Sequence, residues 1–80
     1  MRAHDLDHDV IIGGTRCRTL VSAAHALRRY AIDYNDFKGW RLSRELREVD
    51  TDSQAILAEQ KLNAWLAAAV CEKELLHYCR

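Results

Sequence analysis

The sequence has no proline and only three glycines, so little in it forces a helix to stop beyond the Gly13-Gly14 pair, Gly39 and the capping chemistry of its polar residues. Net charge is lacking as well. Twelve basic side chains balance twelve acidic ones, which removes the overall field that would hold the molecule to nucleic acid or to an anionic membrane. Cysteine is scarce and odd in number (Cys17, Cys71 and Cys79), with no apolar secretory segment ahead of it, so a reducing cytoplasm is expected and a disulfide framework is not. The longest apolar run, LNAWLAAAVC at residues 62–71, is interrupted by Asn63 and reaches about half of the ~20 residues a membrane span requires. Neither a membrane helix nor a targeting peptide is visible.

Active-site signatures are also missing. GGTRCR lacks the further glycines, lysine and Ser/Thr of a phosphate-binding loop, and no carboxylate pair sits in a context that would raise its acidity constants. His4 and His8, interleaved with Asp5, Asp7 and Asp9, have a spacing that aligns two imidazoles on a helix or strand, but a polar terminus commonly holds such residues without a metal. Cys71, His77 and Cys79 diverge by roughly 80–120° on a helix and find no fourth ligand, and Cys17 and His25 diverge similarly. No cofactor, metal or catalytic residue is expected, and the chain does not read as an enzyme.

What is present is a small globular composition. The 80 residues, 49% apolar and 30% charged, allow one domain over 1–80, and folding at that size buries only ~60–65% of the unfolded surface. Self-association or a partner would enlarge so small a core. The charge is uneven along the chain: Arg2 against Asp5, Asp7 and Asp9 leaves −2 over residues 1–15. Eight basic side chains against Asp33, Asp36 and Glu45 give +5 over 16–47, and residues 48–80 return −3.

Residues 1–14 read as a polar arm or as a short hairpin closed by Gly13-Gly14 onto TRCRT. Cys17, Leu20, Val21, Ala24, Leu27 and Ala31 recur at three and four residues, the stripe of an amphipathic helix over 16–32. The turn-forming Asp33, Asn35 and Asp36 precede a second helix over 35–49. Phe37, Trp40, Leu42, Leu46 and Val49 supply its apolar side, and Gly39 weakens its first turn by ~1 kcal/mol relative to alanine. Thr51-Asp52-Ser53-Gln54 fits a capping box and starts a long helix over 52–79. Ala58, Leu62, Trp65, Ala69 and Leu76 share one seam of that helix; Leu57, Ala64, Ala68, Cys71 and Leu75 form a second, roughly 90° away.

The expected fold is therefore an all-α small helical bundle, two shorter helices and a long C-terminal one, with an N-terminal hairpin or arm. A helix that is apolar in two directions asks for neighbours in two directions, which points to a homodimer paired through Leu62, Trp65, Leu66, Ala69 and Leu76. Arg28, Arg29, Trp40, Arg41, Arg44 and Arg47 then offer a surface to an acidic partner. The expected function is a small cytoplasmic protein–protein interaction module, an adaptor or inhibitor of the kind a phage or other mobile element carries, docking on a larger protein. The alternative is a nucleic-acid-binding regulator using the basic residues of 16–47.

Overall fold

The structure, a computed structural model, describes residues 4–72. Among them the order of elements is β1 (Asp5–Ile12), β2 (Thr15–Thr19), α1 (Leu20–Asp33), α2 (Phe37–Arg47) and α3 (Asp52–Glu72). The fold is α+β: a two-stranded antiparallel sheet joins the three helices, which corrects the all-α expectation. The expected helix over 16–32 starts late because residues 15–19 are strand. Cys17 points into the core while Arg16 and Arg18 point out, an alternation of period two that continues without a gap into the helical spacing of Leu20 and Ala24.

Gly13 and Gly14 make the hairpin. Both have positive φ, 57° and 85°, as a two-residue primed turn requires, and the register Ile12↔Thr15, Ile11↔Arg16, Val10↔Cys17 follows from that loop length. A register shift before Val10 brings Asp5 opposite Thr19. Where β2 ends, Thr19 caps α1: its hydroxyl accepts from the Ser22 backbone N–H at 3.1 Å, and the Ser22 hydroxyl accepts from the Thr19 N–H at 3.1 Å. Serine thus performs the reciprocal half of a capping box that is usually read from Glu or Gln.

The connection from α1 to α2 is equally local. Asn35 sits in the left-handed region at φ 51°, Asn35 N–H donates to the Ile32 carbonyl and Asp36 N–H to the Ala31 carbonyl, so α1 stops in a Schellman arrangement with asparagine in the usual place of glycine. The next residue begins the following helix: Asp36 Oδ1 accepts from Gly39 N–H at 3.1 Å and caps α2. The expected second helix, 35–49, is shorter by these capping residues and ends at Arg47. At α3 the Thr51 hydroxyl accepts from Gln54 N–H, and Gln54 Oε1 accepts from the backbone of Asp50 and Thr51. This helix begins at Asp52 as expected, and residues 73–79 of the expected span lie outside the described residues.

One core holds these elements together. Ile12 and Cys17 of the hairpin, Leu20, Ala23, Ala24, Leu27 and Tyr30 of α1, Leu42 and Leu46 of α2, Val49, and Ala58, Leu62 and Ala69 of α3 form a single buried cluster. Each fully buried leucine in it contributes ~1.5–3 kcal/mol by leaving water. Polar ties fix α3 to the rest: Glu59 Oε2 accepts from Asp7 N–H at 2.8 Å, Lys61 Nζ meets Glu45 Oε1 at 2.6 Å, and Trp65 Nε1 donates to Asp36 Oδ2 at 3.2 Å.

Candidate interaction surfaces

The first seam of α3 faces inward. Leu62 and Ala69 are buried within one chain, and Trp65 and Leu66 are half-buried against the core. Trp65 stands edge-on to Tyr30, ring centroids 5.3 Å apart at 87°. Leu62 and Ala69 therefore have no area to offer a second copy, which corrects their assignment to self-association; Leu76 lies outside the described residues. Of the second seam, Leu57, Ala64 and Ala68 face out, and Cys71 and Leu75 lie outside the described side chains. Leu57 is 59% exposed, the adjoining Ile56 60%, and Ala64, Ala67 and Ala68 are exposed beyond them.

That outer surface carries charge only at its margin. Between Ser53 and Ala69 the charged residues of α3 are Glu59 and Lys61, and both are tied back to their own chain at Asp7 and Glu45. What remains outward is Ile56, Leu57, Gln60, Asn63, Ala64, Ala67 and Ala68. A helix solvated on its outer side normally carries charge there.

A second surface lies over the α1–α2 turn. The Arg28 guanidinium sits 5.3 Å from the Trp40 ring centroid and that of Arg41 sits 5.6 Å from the Phe37 ring. Ile32 is 62% exposed and Phe37 70%. Both lie off the buried stripes of their helices: Phe37 is on the opposite side of α2 from Leu46, and Ile32 is ~140° from Leu27. Ala31, Ile32, Asn35, Asp36, Phe37 and Trp40 line a shallow concavity of about 390 Å³ beneath these rings.

Of the basic residues expected to act together, Arg28, Trp40 and Arg41 are brought together, and exposed Arg44 follows on the same side of α2 as Phe37 and Arg41. Arg47 is half-buried, its Nε sequestered without a hydrogen-bond partner among the described residues. Arg29 points elsewhere, beside Thr15, Ser22 and His25. Sequence reasoning missed Ile32 and Phe37 as surface residues. A helical wheel drawn on Leu42 and Leu46 would have placed Phe37 outside, because five residues on a helix turn through ~140°.

Among the described residues, chemistry-bearing side chains do not converge. Among the described residues no group of three His, Cys, Asp or Glu side chains is placed to hold a metal ion. His4 Nδ1 lies 3.7 Å from Asp52 Oδ1, tying the start of the hairpin to the first turn of α3. Cys17 is buried, and burial pushes its thiol above the ordinary value against a smaller lowering by its hydrogen bond at Ser22. That is the opposite of what a nucleophile needs. Among the described residues no helix is long and apolar enough to cross a membrane. Compared with protein-family models, with curated proteins and with solved structures, the chain finds no match.

Proposed function

We propose that the protein is a small cytoplasmic protein–protein interaction module that works as a homodimer, an adaptor or inhibitor docking on a larger protein. The observation that carries this reading is the outward surface of α3, apolar at Ile56 and Leu57, small at Ala64, Ala67 and Ala68, with its charge confined to Glu59, which bonds Asp7, and to the exposed Lys61–Glu45 pair at its margin. Such a surface favours association over solvation.

A second copy fits it well. Large residues occupy the N-terminal half of the strip and alanines the C-terminal half, so two antiparallel helices set Ile56 and Leu57 of each chain over Ala67 and Ala68 of the other. Gln60 then lies near Ala64 at the dyad. An isologous contact repeats this match twice, and alanines let the helix axes approach to ~8 Å. At 21 residues, ~31 Å long, α3 gives an interface at the small end of the specific range, and the dimer should loosen on dilution.

Light scattering behind a sizing column, with reductant, tests this. The wild type should approach twice the chain mass of 9.2 kDa as concentration rises. Leu57→Glu replaces an apolar side chain of each copy with a hydrated carboxylate and should weaken the contact at least ~100-fold, with the helical circular dichroism unchanged. A wild type that stays monomeric at the highest concentration, or a Leu57→Glu variant as dimeric as the parent, removes the α3 contact.

A further inference from the structure

We infer that the surface over the α1–α2 turn is a docking site for an acidic segment of a partner protein, one that carries a bulky apolar residue among Asp or Glu side chains. The inference rests on reading the chain as an interaction module and supplies the partner's chemistry. Three observations point to such a ligand.

The first is unspent positive charge. Arg28, Arg41 and Arg44 have no carboxylate within 4.0 Å among the described residues, whose ion pairs join His4 to Asp52, Arg18 to Asp9 and Lys61 to Glu45. Arg18 and Lys61 are paired; Arg28, Arg41 and Arg44, like the exposed Arg16, Arg29 and Lys38, are not, and what sets these three apart is that they gather on one surface. The second is orientation. Two of the guanidiniums lie against rings, Arg28 on Trp40 and Arg41 on Phe37. A guanidinium placed over a ring is partly held there and keeps N–H donors with which it can receive a carboxylate.

The third is apolar area at the centre of the charge. Ile32 at 62% and Phe37 at 70% exposure border the concavity that Ala31, Asn35, Asp36 and Trp40 also line, so an apolar side chain entering it covers both while the ligand's acids stay at the arginine rim, away from Asp36. Arginine around a desolvated aromatic centre is the composition of a protein-binding hot spot. Nucleic acid meets the charge but not the rest: its backbone brings no side chain to cover Ile32, and Arg28 and Arg41 already occupy one face of the rings on which bases would stack.

The test uses the full chain and a pool of short fluorescent peptides in which one Leu, Phe or Trp is set among Asp and Glu. The same pool with Asn and Gln for the acids, the same pool with Ala for the apolar residue, and a random DNA duplex serve as comparisons. The acidic apolar pool should be retained, binding should fall with salt, and each comparison pool should bind at least about tenfold more weakly. Phe37→Ala and Arg41→Ala should each weaken binding about tenfold, whereas Arg29→Ala, whose side chain lines a different concavity with Thr15, Ser22 and His25, should not change it. Because Phe37 and Arg41 are exposed, the fold is expected to survive both changes, checked by circular dichroism.

Tighter binding of the duplex, equal binding of the three peptide pools, no retained peptide, or binding indifferent to Phe37 and Arg41 would each overturn the inference. The solution mass of every variant is measured alongside. Lost peptide binding with an unchanged mass concerns this site alone, and a lost dimer with retained peptide binding concerns the α3 contact alone.

Discussion

Asp36 and Trp65 should be energetically coupled, and the coupling can be sized from their geometry. The Asp36 carboxylate is buried; one oxygen caps α2 at Gly39 N–H, and the other accepts from Trp65 Nε1 at 3.2 Å, twenty-nine residues further along the chain. This one side chain therefore starts a helix and fastens α3 to it. Asp36→Ala removes the cap, ~1 kcal/mol, and strands the indole N–H, ~1–3 kcal/mol, for a loss of ~2–4 kcal/mol. At ~4–8 °C per kcal/mol for a domain of this size, the melting temperature should fall by roughly 8–32 °C.

Trp65→Phe keeps an aromatic ring against Tyr30 and deletes the donor, so it isolates the hydrogen bond from the packing. A bond to a charged acceptor contributes ~1.5–3 kcal/mol, and that amount should appear as the interaction term of the cycle formed by Asp36→Ala, Trp65→Phe and the double variant. Urea unfolding followed by circular dichroism gives the four stabilities. Fluorescence would mix the signal of Trp40 with that of Trp65. Additivity within ~0.3–0.5 kcal/mol would show that the two groups do not share an interaction in solution and would refute the account of how α3 is held.

Two further perturbations read the same packing. Helix propensity alone says that Gly39→Ala should stabilise α2 by ~1 kcal/mol, yet a Cβ there would stand 3.0 Å from Asp36 Oδ2, 3.2 Å from Asp36 Cγ and 3.4 Å from Leu27 Cδ1. A destabilisation of ~1–2 kcal/mol is expected, and a urea midpoint above wild type would count against it. Cys17, whose thiol is pushed up by burial, keeps its proton in the folded chain at pH values where the unfolded chain has lost it. Its contribution is thus complete below the unfolded thiol value of ~8.5 and declines as pH rises from there through the higher folded value. Wild type should lose more stability than Cys17→Ala between neutral and alkaline pH; parallel loss in the two would sink that account.

The capping chemistry was legible because it is local. Thr51 with Gln54, the turn-forming Asn35 and Asp36, and the Gly13-Gly14 pair all act where the sequence places them. The strand Thr15–Thr19 was not, because Cys17 satisfies two periods at once. It lies three residues before Leu20, as a helical stripe would have it, and it also alternates with Arg16 and Arg18. What decides between them is the pairing of Val10 with Cys17, a contact across the hairpin that no spacing along one segment contains. Thr19 hid the boundary further, since its reciprocal partner is Ser22 and not Glu or Gln.

The orientation of α3 was illegible for a different reason. Its apolar residues run round most of the helix, so a wheel finds two seams and has no means of saying which is inside. Trp65 decides it: the ring needs an acceptor for its N–H and a neighbour for its edge, and both Asp36 and Tyr30 come from the α1–α2 side. Once that seam is turned inward, Leu57, Ala64 and Ala68, roughly 60–100° round the helix from Trp65, lie on the flank that α1 and α2 leave exposed. The two proposed surfaces then meet at one place, because Ala68 borders a concavity that Phe37, Lys38 and Trp65 also line. A dimer closed over Ala67 and Ala68 brings each copy's docking site to the edge of the shared contact and leaves Arg28, Arg41 and Ile32 outside it. Such a dimer displays two acidic-segment sites related by the dyad, and a partner bearing two acidic segments would be held by both. Its apparent affinity should then exceed that of a single segment by ~10²-fold or more where the spacing between segments allows simultaneous binding. Leu57→Glu should abolish that gain while leaving the affinity for one segment intact. A tandem ligand that binds the Leu57→Glu chain as tightly as the wild type would show that the two surfaces do not work together.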